Sequence, residues 1–379
     1  MKFCKECLTT DLRPNASFND EGVCIACEYS NNAKKKSFFS NLSILEEMVR
    51  SNKSKKKKHP KYDCIVGVSG GKDSTRQAHW VRDRLGLNPL LVCCGYPPLQ
   101  MTSIGADNIS NLISMGFDIE FFVPAPQTSR QLSLSSFRKF GNVCKSTEMA
   151  LFSTVPRFAI LKKIPLIFWG ENPALQVGDS NVRGVNYFDG NNLRNLNTLI
   201  DGGVQWIFDE TVGHKAQSYI YPSKKSFDKA GADIMYLGPA WDDWSLDENS
   251  IYAALTGLTL RPDDADITGD ISGASMLDEE FTNINMMIRR YKFGFGRATD
   301  ICNERIRLGV MTRDQAIKLV EKYDGICDDS IIDSYCNYVG ISKTEFWNIV
   351  NTYVNQDIFH IRQGNRPVKK FDVGVDFVD

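Results

Sequence analysis

Long apolar runs are missing from this 379-residue chain: uninterrupted stretches such as Ile164 to Trp169 are a few residues long, against the roughly 20 that a membrane helix needs. Nothing in the sequence is built to span a bilayer. An excess of one charge is also missing, because 45 Lys+Arg face 46 Asp+Glu, and a balance of −1 points by itself to neither a nucleic acid nor an acidic partner. Histidine is scarce, and His59, His79, His214 and His360 form no Cys–His signature. Residue 2 is Lys, so removal of Met1 would expose no glutaminase thiol. The phosphate motifs GxxxxGK[ST] and GxGxxG are absent as well. The opening residues, Met1-Lys2-Phe3-Cys4-Lys5-Glu6-Cys7, carry charge where a secretory signal carries its apolar segment, so the expectation is a cytoplasmic chain with reduced thiols. What remains is an ordinary globular composition, 42% hydrophobic, 11% aromatic and 24% charged, long enough for two domains or for one core with additions.

The charge that is present is unevenly placed. Residues 1–61 carry a net +6, concentrated in Lys53 and Lys55 to Lys58 ahead of His59-Pro60, where no apolar periodicity suggests a helix. That stretch reads either as a solvated tether or as a contact for a polyanion such as RNA. Ahead of it, Cys4-x2-Cys7 and Cys24-x2-Cys27 are separated by 16 residues, the spacing of two knuckles closing on one tetrahedral metal. Four thiolates fill the coordination shell of zinc, leave no position for a reactive water, and so predict a structural site. The other cysteines, Cys64, Cys93, Cys94, Cys144, Cys302, Cys327 and Cys336, show no ligand spacing and read mostly as small core residues.

Tyr62 to Val68 reads as a strand, followed directly by Ser69-Gly70-Gly71-Lys72-Asp73-Ser74 and a helix marked by Ala78, Val81 and Leu85 with Gly86 as its stop. A helix N-terminus facing this loop offers free N–H groups and a positive dipole end to phosphate, and glycine lets the backbone approach the anion. Ser69 and Ser74 add hydroxyls, Lys72 adds charge, and Asp73 is a magnesium ligand candidate. Further along, Pro89–Cys94, Ile119–Val123 and Pro165–Trp169 read as strands, with helices marked by Ile109, Leu112 and Ile113 up to Gly116 and by Ser146 to Leu161. Alternation of this kind predicts a parallel sheet with ligands beyond the carboxyl ends of its strands. Gly95-Tyr96 is there a place for adenosine, Tyr96 reading equally as local packing. Glu171 and Asn172, in Gly170-Glu171-Asn172-Pro173, are candidates to bind magnesium, orient ammonia or fix a sugar group, although Asn-Pro is also an ordinary turn. Cys144, just before a helix start, reads either as a sulfur carrier of lowered pKa or as a structural thiol.

Beyond residue 275 the pattern is helical, with capping boxes at Thr312-x-x-Gln315 and Ser342-x-x-Glu345. Lys292 and Arg297 flank a glycine–aromatic stretch suited to neutralising a leaving pyrophosphate. The domains expected are a zinc ribbon (1–32), a basic linker (33–61), a nucleotide-binding core (62–275) and a helical region (276–379).

SGGKDS resembles the PP-loop of the ATP pyrophosphatases. CxxC…CxxC, SGGKDS, GENPA and KFGFGRATD followed by IRLGVMTRDQAIKLVEKYDG together resemble the N-acetyl sugar amidotransferase family of bacterial surface-polysaccharide and flagellin-sugar pathways. The resemblance implies an α/β fold with a parallel-sheet PP-loop core, and a reaction that converts an acetamido group on a nucleotide-activated sugar to an acetamidino group. ATP would become AMP and pyrophosphate, with ammonia from a separate glutaminase and a cyclase-like partner. It assigns Ser69, Gly70, Gly71, Asp73 and Ser74 to ATP and Mg2+, Lys72, Lys292 and Arg297 to charge neutralisation, and Glu171 and Asn172 to the meeting of substrate and adenylate. The region after residue 275 is then either a docking surface for the ammonia source or a stabilising cap. Two rival readings are a tRNA-thiolating PP-loop enzyme using the lysine run and Cys144, and a nucleotide-binding adaptor without catalysis.

Overall fold

Two cysteine-bearing knuckles open the chain, and the computed structural model describes residues 1–33, 38–55, 61–176, 189–241, 243–262, 265–362 and 365–377. Antiparallel bridges Phe3–Thr10 and Phe18–Cys24 shape the knuckles ahead of helix α1 (Ile25–Ala33). Helix α2 (Phe38–Lys55) occupies most of the 33–61 span expected as a basic linker, and of the lysine-rich run read as a tether it takes in only Lys53 to Lys55. Leu42, Leu45 and Val49 recur at three and four residues ahead of the lysines and are buried, which makes this part of the expected linker an amphipathic helix. Leu45 and Val49 join the core beside the sheet. Lys56 to Pro60, the heart of the basic run, lie outside the described residues.

Five strands form the sheet: β1 (Cys64–Val68), β2 (Pro89–Cys94), β3 (Ile119–Phe122), β4 (Leu166–Trp169) and β5 (Asp233–Tyr236). Their order is β3-β2-β1-β4-β5 and every neighbouring pair is parallel, which makes this an α/β protein. β1, β2 and β4 are buried throughout, the signature of a sheet covered on both faces. Side chains alternate between the faces. Cys64, Val66 and Val68 meet Ala78 and Val81 of α3 (Lys72–Asp83) and Ile109 and Leu112 of α4 (Ser103–Ser114). Ile65 and Ile167 turn the other way, toward Val155 and Ala159 of α6 (Lys145–Lys162). The expected strands and helices occur in their places, while β5 and α5 (Pro126–Phe140) were not anticipated. Ile113, expected on the buried face of α4, is exposed because Gly105, Asn108, Ile109 and Leu112 already fill that face.

The C-terminal region is helical over Thr282–Phe293, Arg297–Leu308, Arg313–Tyr323, Asp329–Val339 and Lys343–Tyr353. It closes with an antiparallel hairpin, β6 (Phe359–Arg362) and β7 (Asn365–Lys369), that a purely helical reading did not include. Thr312 and Gln315 form the reciprocal capping box, whereas Ser342 accepts from the Glu345 N–H alone. One apolar cluster joins these helices to Phe3 and Leu8 from the knuckles and to Phe137, Val143 and Cys144. The ends of the chain are therefore packed together. Cys302, Cys327 and Cys336 sit in that cluster as small apolar side chains, as expected.

If α2 belongs to the folded core, Leu45→Ala lowers stability by about 2–5 kcal/mol in denaturant unfolding. Ile44→Ala, on the exposed face, stays within about 0.5 kcal/mol. Equal small effects at both positions would return the segment to the status of a linker outside the core.

Candidate active site

β1 and β4 are neighbours in the sheet, with Ile65 beside Ile167 and Val66 beside Phe168. The chain leaves β1 toward β2 and β3, and leaves β4 toward β5 on the opposite side. The carboxyl ends of these two strands thus frame the switch point where open α/β sheets hold ligands. A cleft opens there, lined among others by Ser69, Gly71, Asp73, Ser74, Gln77 and Glu171. The sequence reading placed Ser69 to Ser74 and Glu171 together, and the structure brings them together.

Gly70 adopts φ +87°, and a Cβ there would stand 2.7 Å from the Gly105 carbonyl, so the position requires glycine. Gly71 is the N-cap of α3 and supplies no side-chain cap. The first N–H groups of the helix are left facing the cleft, the arrangement that suits an anion. Ser74 donates to the Gly71 carbonyl at 3.1 Å, bracing the turn. Ser69 and the Tyr96 hydroxyl both donate to Asp278, the latter at 3.1 Å, which ties the loop to the start of the C-terminal region.

Charge gathers around Asp73. Lys72, almost fully buried, donates to its Oδ2 at 2.8 Å, and Asn249 donates to its Oδ1 at 2.7 Å. Burial alone would raise the Asp73 pKa, but Lys72, the Asn249 amide and Arg297 together hold the carboxyl below its ordinary range. Asn249 is oriented by Arg76 at 2.8 Å, and the Arg76 guanidinium lies 4.7 Å over the Trp241 ring and pairs with Asp243. Glu171 keeps a buried Oε2 without a partner, and burial followed by the Asp73 charge pushes its carboxyl up to about 7. Glu304 behaves alike: its Oε1 accepts the Leu246 N–H at 2.6 Å, its Oε2 is buried and unpartnered, and its carboxyl rises to about 7 from burial and then Asp73. Sequence reasoning missed Asn249, Arg76, Asp278 and Glu304. No local motif marks them, since Asn249 lies 176 residues from the carboxylate it orients.

Other expected residues fall elsewhere. Lys292 donates to the Phe140 carbonyl at 2.7 Å, and its electrostatic neighbours are Asp201 and Lys145, whereas the charge of Arg297 reaches Asp73. The Lys292–Arg297 pair separates because Lys292 ends one helix and Arg297 begins the next. Gly95 packs on Phe121, where a Cβ would stand 2.4 Å from the ring, and Tyr96 commits its hydroxyl to Asp278. Asn172 is buried and its side chain accepts the Leu175 N–H at 3.3 Å, capping the short helix Pro173–Gln176 as an Asn-Pro turn does. Cys144 is buried, and burial together with Glu279 and Glu148 raises its pKa well above the ordinary thiol value, the opposite of an activated carrier.

The four knuckle cysteines converge as their spacing requires. Cys4, Cys7, Cys24 and Cys27 are all buried and their sulfurs lie within 4.8 Å of one another. The donor set fits a divalent metal such as zinc, and a buried cation, Arg307, stands beside it with Nη2 3.6 Å from Cys7 Sγ. Its neighbouring thiols, and after them Arg307, hold Cys24 below the usual thiol range.

Carboxyls raised from about 4.5 to about 7 by folding bind more protons in the native than in the unfolded state across that window, so their contribution to stability is full below it and is lost as pH rises through it. Glu171→Gln and Glu304→Gln should each flatten the fall in Tm between about pH 5 and about pH 7.5. Parallel Tm profiles for variant and parent would show that these carboxyls titrate normally.

Among the described residues no helix is long and apolar enough to cross a membrane. Comparison with curated proteins finds no match. Residues 278–371 match a family model described as "LPS biosynthesis protein WbpG-like, C-terminal domain". The matched stretch begins at Asp278 and contains Arg297, Glu304 and Arg307, the residues by which the C-terminal region reaches the loop and the cysteine cluster. The match covers the C-terminal region alone and supports a role in lipopolysaccharide or sugar biosynthesis.

Proposed function

We propose that the chain is an ATP-dependent, AMP-forming amidotransferase that converts the acetamido group of a nucleotide-linked N-acetyl sugar to an acetamidino group. The observation that carries this reading is the meeting, at the switch point of the sheet, of the SGGKDS loop with Arg297 from the region matched to lipopolysaccharide biosynthesis.

An amide oxygen is a poor leaving group, and adenylation makes it part of AMP. In this reading the amide oxygen attacks the α-phosphorus of ATP and pyrophosphate departs. The first N–H groups of α3, with Lys72 and Arg297, hold the phosphates and take up the charge that grows on the leaving pyrophosphate. Magnesium fits here as it usually binds, through one carboxylate and the substrate's own phosphates. Among the described residues each Asp73 oxygen accepts one hydrogen bond, so Asp73 would be that carboxylate, and the ion would neutralise phosphate charge. Ammonia then adds to the imidate carbon, AMP leaves with the former amide oxygen, and Glu171 takes the proton released, its raised pKa suiting exchange near neutral pH. Zinc at Cys4, Cys7, Cys24 and Cys27 has only a structural part, since four thiolates leave no open position. No glutaminase residues are evident in the sequence, and ammonia comes from a separate glutaminase with a cyclase-like partner. The docking of that source on the region after residue 275 belongs to the same proposal.

The experiment is a purified single-chain assay for AMP, pyrophosphate and sugar product with UDP- or CMP-linked N-acetyl sugars. Ammonium at alkaline pH should support turnover and glutamine alone should not. Asp73→Asn should fold normally and lose on the order of 10²-fold or more in kcat/KM. Turnover with glutamine and no second protein would overturn the ammonia-source part, ADP as product would overturn the mechanism, and sulfur transfer to tRNA would favour the thiolation reading.

A further inference from the structure

Arg307 is buried, and among the described residues it pairs with sulfurs, a hydroxyl and backbone carbonyls and with no carboxylate. One hand of its guanidinium fork, Nη2, lies 3.6 Å from Cys7 Sγ, 3.9 Å from Cys24 Sγ and 3.0 Å from Thr9 Oγ1. The other, Nη1, donates to the carbonyls of Leu175 and Gln176 at 2.9 Å each. Those carbonyls belong to the short helix Pro173–Gln176, which follows Gly170-Glu171-Asn172 at the end of β4. A single side chain thus joins the cysteine cluster to the segment that continues the wall of the cleft.

The charges make the joint more than a packing contact. Four thiolates on a divalent ion leave a net charge of −2 in a buried place, and an uncompensated buried charge is costly. A guanidinium beside two of the sulfurs removes half of that charge. With the cysteines protonated and no metal present, the same guanidinium is itself a buried cation without an anion. Metal and Arg307 therefore favour each other, and the geometry of the fork passes that preference to the two carbonyls. Lysine could supply the charge but not the two-handed bridge. Pro173–Gln176 also packs against α1 and against the helix Arg297–Leu308 that carries Arg307 itself.

We infer that Arg307 is the counter-ion of the tetrathiolate metal centre and, through the Leu175 and Gln176 carbonyls, the positioning residue that couples the metal to the Glu171 wall of the cleft. This goes beyond the proposed reaction and does not depend on it. By linkage, whatever firms the Gly170–Gln176 segment also tightens the metal, and the reverse.

The test uses the full chain loaded with zinc. Arg307→Met should bind zinc about 10–100-fold more weakly in competition with a chromogenic chelator, the usual loss for a partner just outside a metal's ligands. Arg307→Lys should hold zinc more tightly than Arg307→Met yet, while fully loaded, show faster amide hydrogen exchange over residues 170–176, with β1 and β2 unchanged. The lysine variant keeps the charge, so it answers the question even if the methionine variant fails to fold. Zinc affinity of Arg307→Met equal to the parent would overturn the counter-ion role. Parental exchange over 170–176 in loaded Arg307→Lys would overturn the coupling.

Discussion

The rest of the molecule is arranged around unpaired N–H groups at the start of one helix. α3 begins directly after β1 with glycine at its cap, so nothing in its own sequence satisfies its first donors. In a parallel sheet that helix start lies at the carboxyl edge, and the order β3-β2-β1-β4-β5 leaves a crevice immediately beside it. A helix start without a side-chain cap suits an anion, and the positive groups nearby add to that preference. Gly70 at φ +87° gives the turn its shape, and a Cβ at that position would crowd the Gly105 carbonyl at 2.7 Å.

The groups that serve this edge come from distant parts of the chain. Arg76 and Asn249 orient Asp73, Asp278 anchors Ser69, and Glu171 and Glu304 bring carboxyls that burial and Asp73 keep near neutrality in their titration. The helix Arg297–Leu308 holds several of these links along one rod. Arg297 at its start acts on Asp73, Glu304 caps the helix Leu246–Leu255, and Arg307 near its end meets the cysteines. Between them Asp300 pairs with Arg13 of the knuckles at 2.8 Å and with Arg289 at 2.5 Å, and both guanidiniums lie 4.6 Å from the Phe295 ring. The N-terminal knuckles are therefore part of the frame behind the cleft. Their cysteines shape a site 300 residues from the arginine that faces them.

Elements whose evidence is local were legible in the sequence. β1, β2 and β4 are short apolar runs bounded by turns, the cysteine pairs have fixed spacing, and SGGKDS sits between a strand and a helix, so each could be placed from neighbouring residues. α2 was obscured because its buried stripe of Leu42, Leu45 and Val49 runs into lysines that suggest solvent. β5 is only four residues, beginning with Asp233, and lacks the continuous apolar run of β4. Within the site, loop residues were found and their supports were not. Lys292 and Arg297 look equivalent in the sequence, but a helix break between them sends one to the Phe140 carbonyl and leaves the other near Asp73. The Cys144 thiol shows a comparable effect: its place at a helix start suggested a lowered pKa, and burial, with Glu279 and Glu148 beside it, pushes the thiol the other way.

The central claim is that the acetamido oxygen is adenylated before ammonia replaces it, and the most direct measurement follows that oxygen. A nucleotide-linked sugar carrying 18O in its acetyl carbonyl, turned over with ATP and ammonium, should deliver the label to the phosphate of AMP and leave pyrophosphate unlabelled. Label in inorganic phosphate, or label released to water with AMP unlabelled, would contradict adenylation at that oxygen.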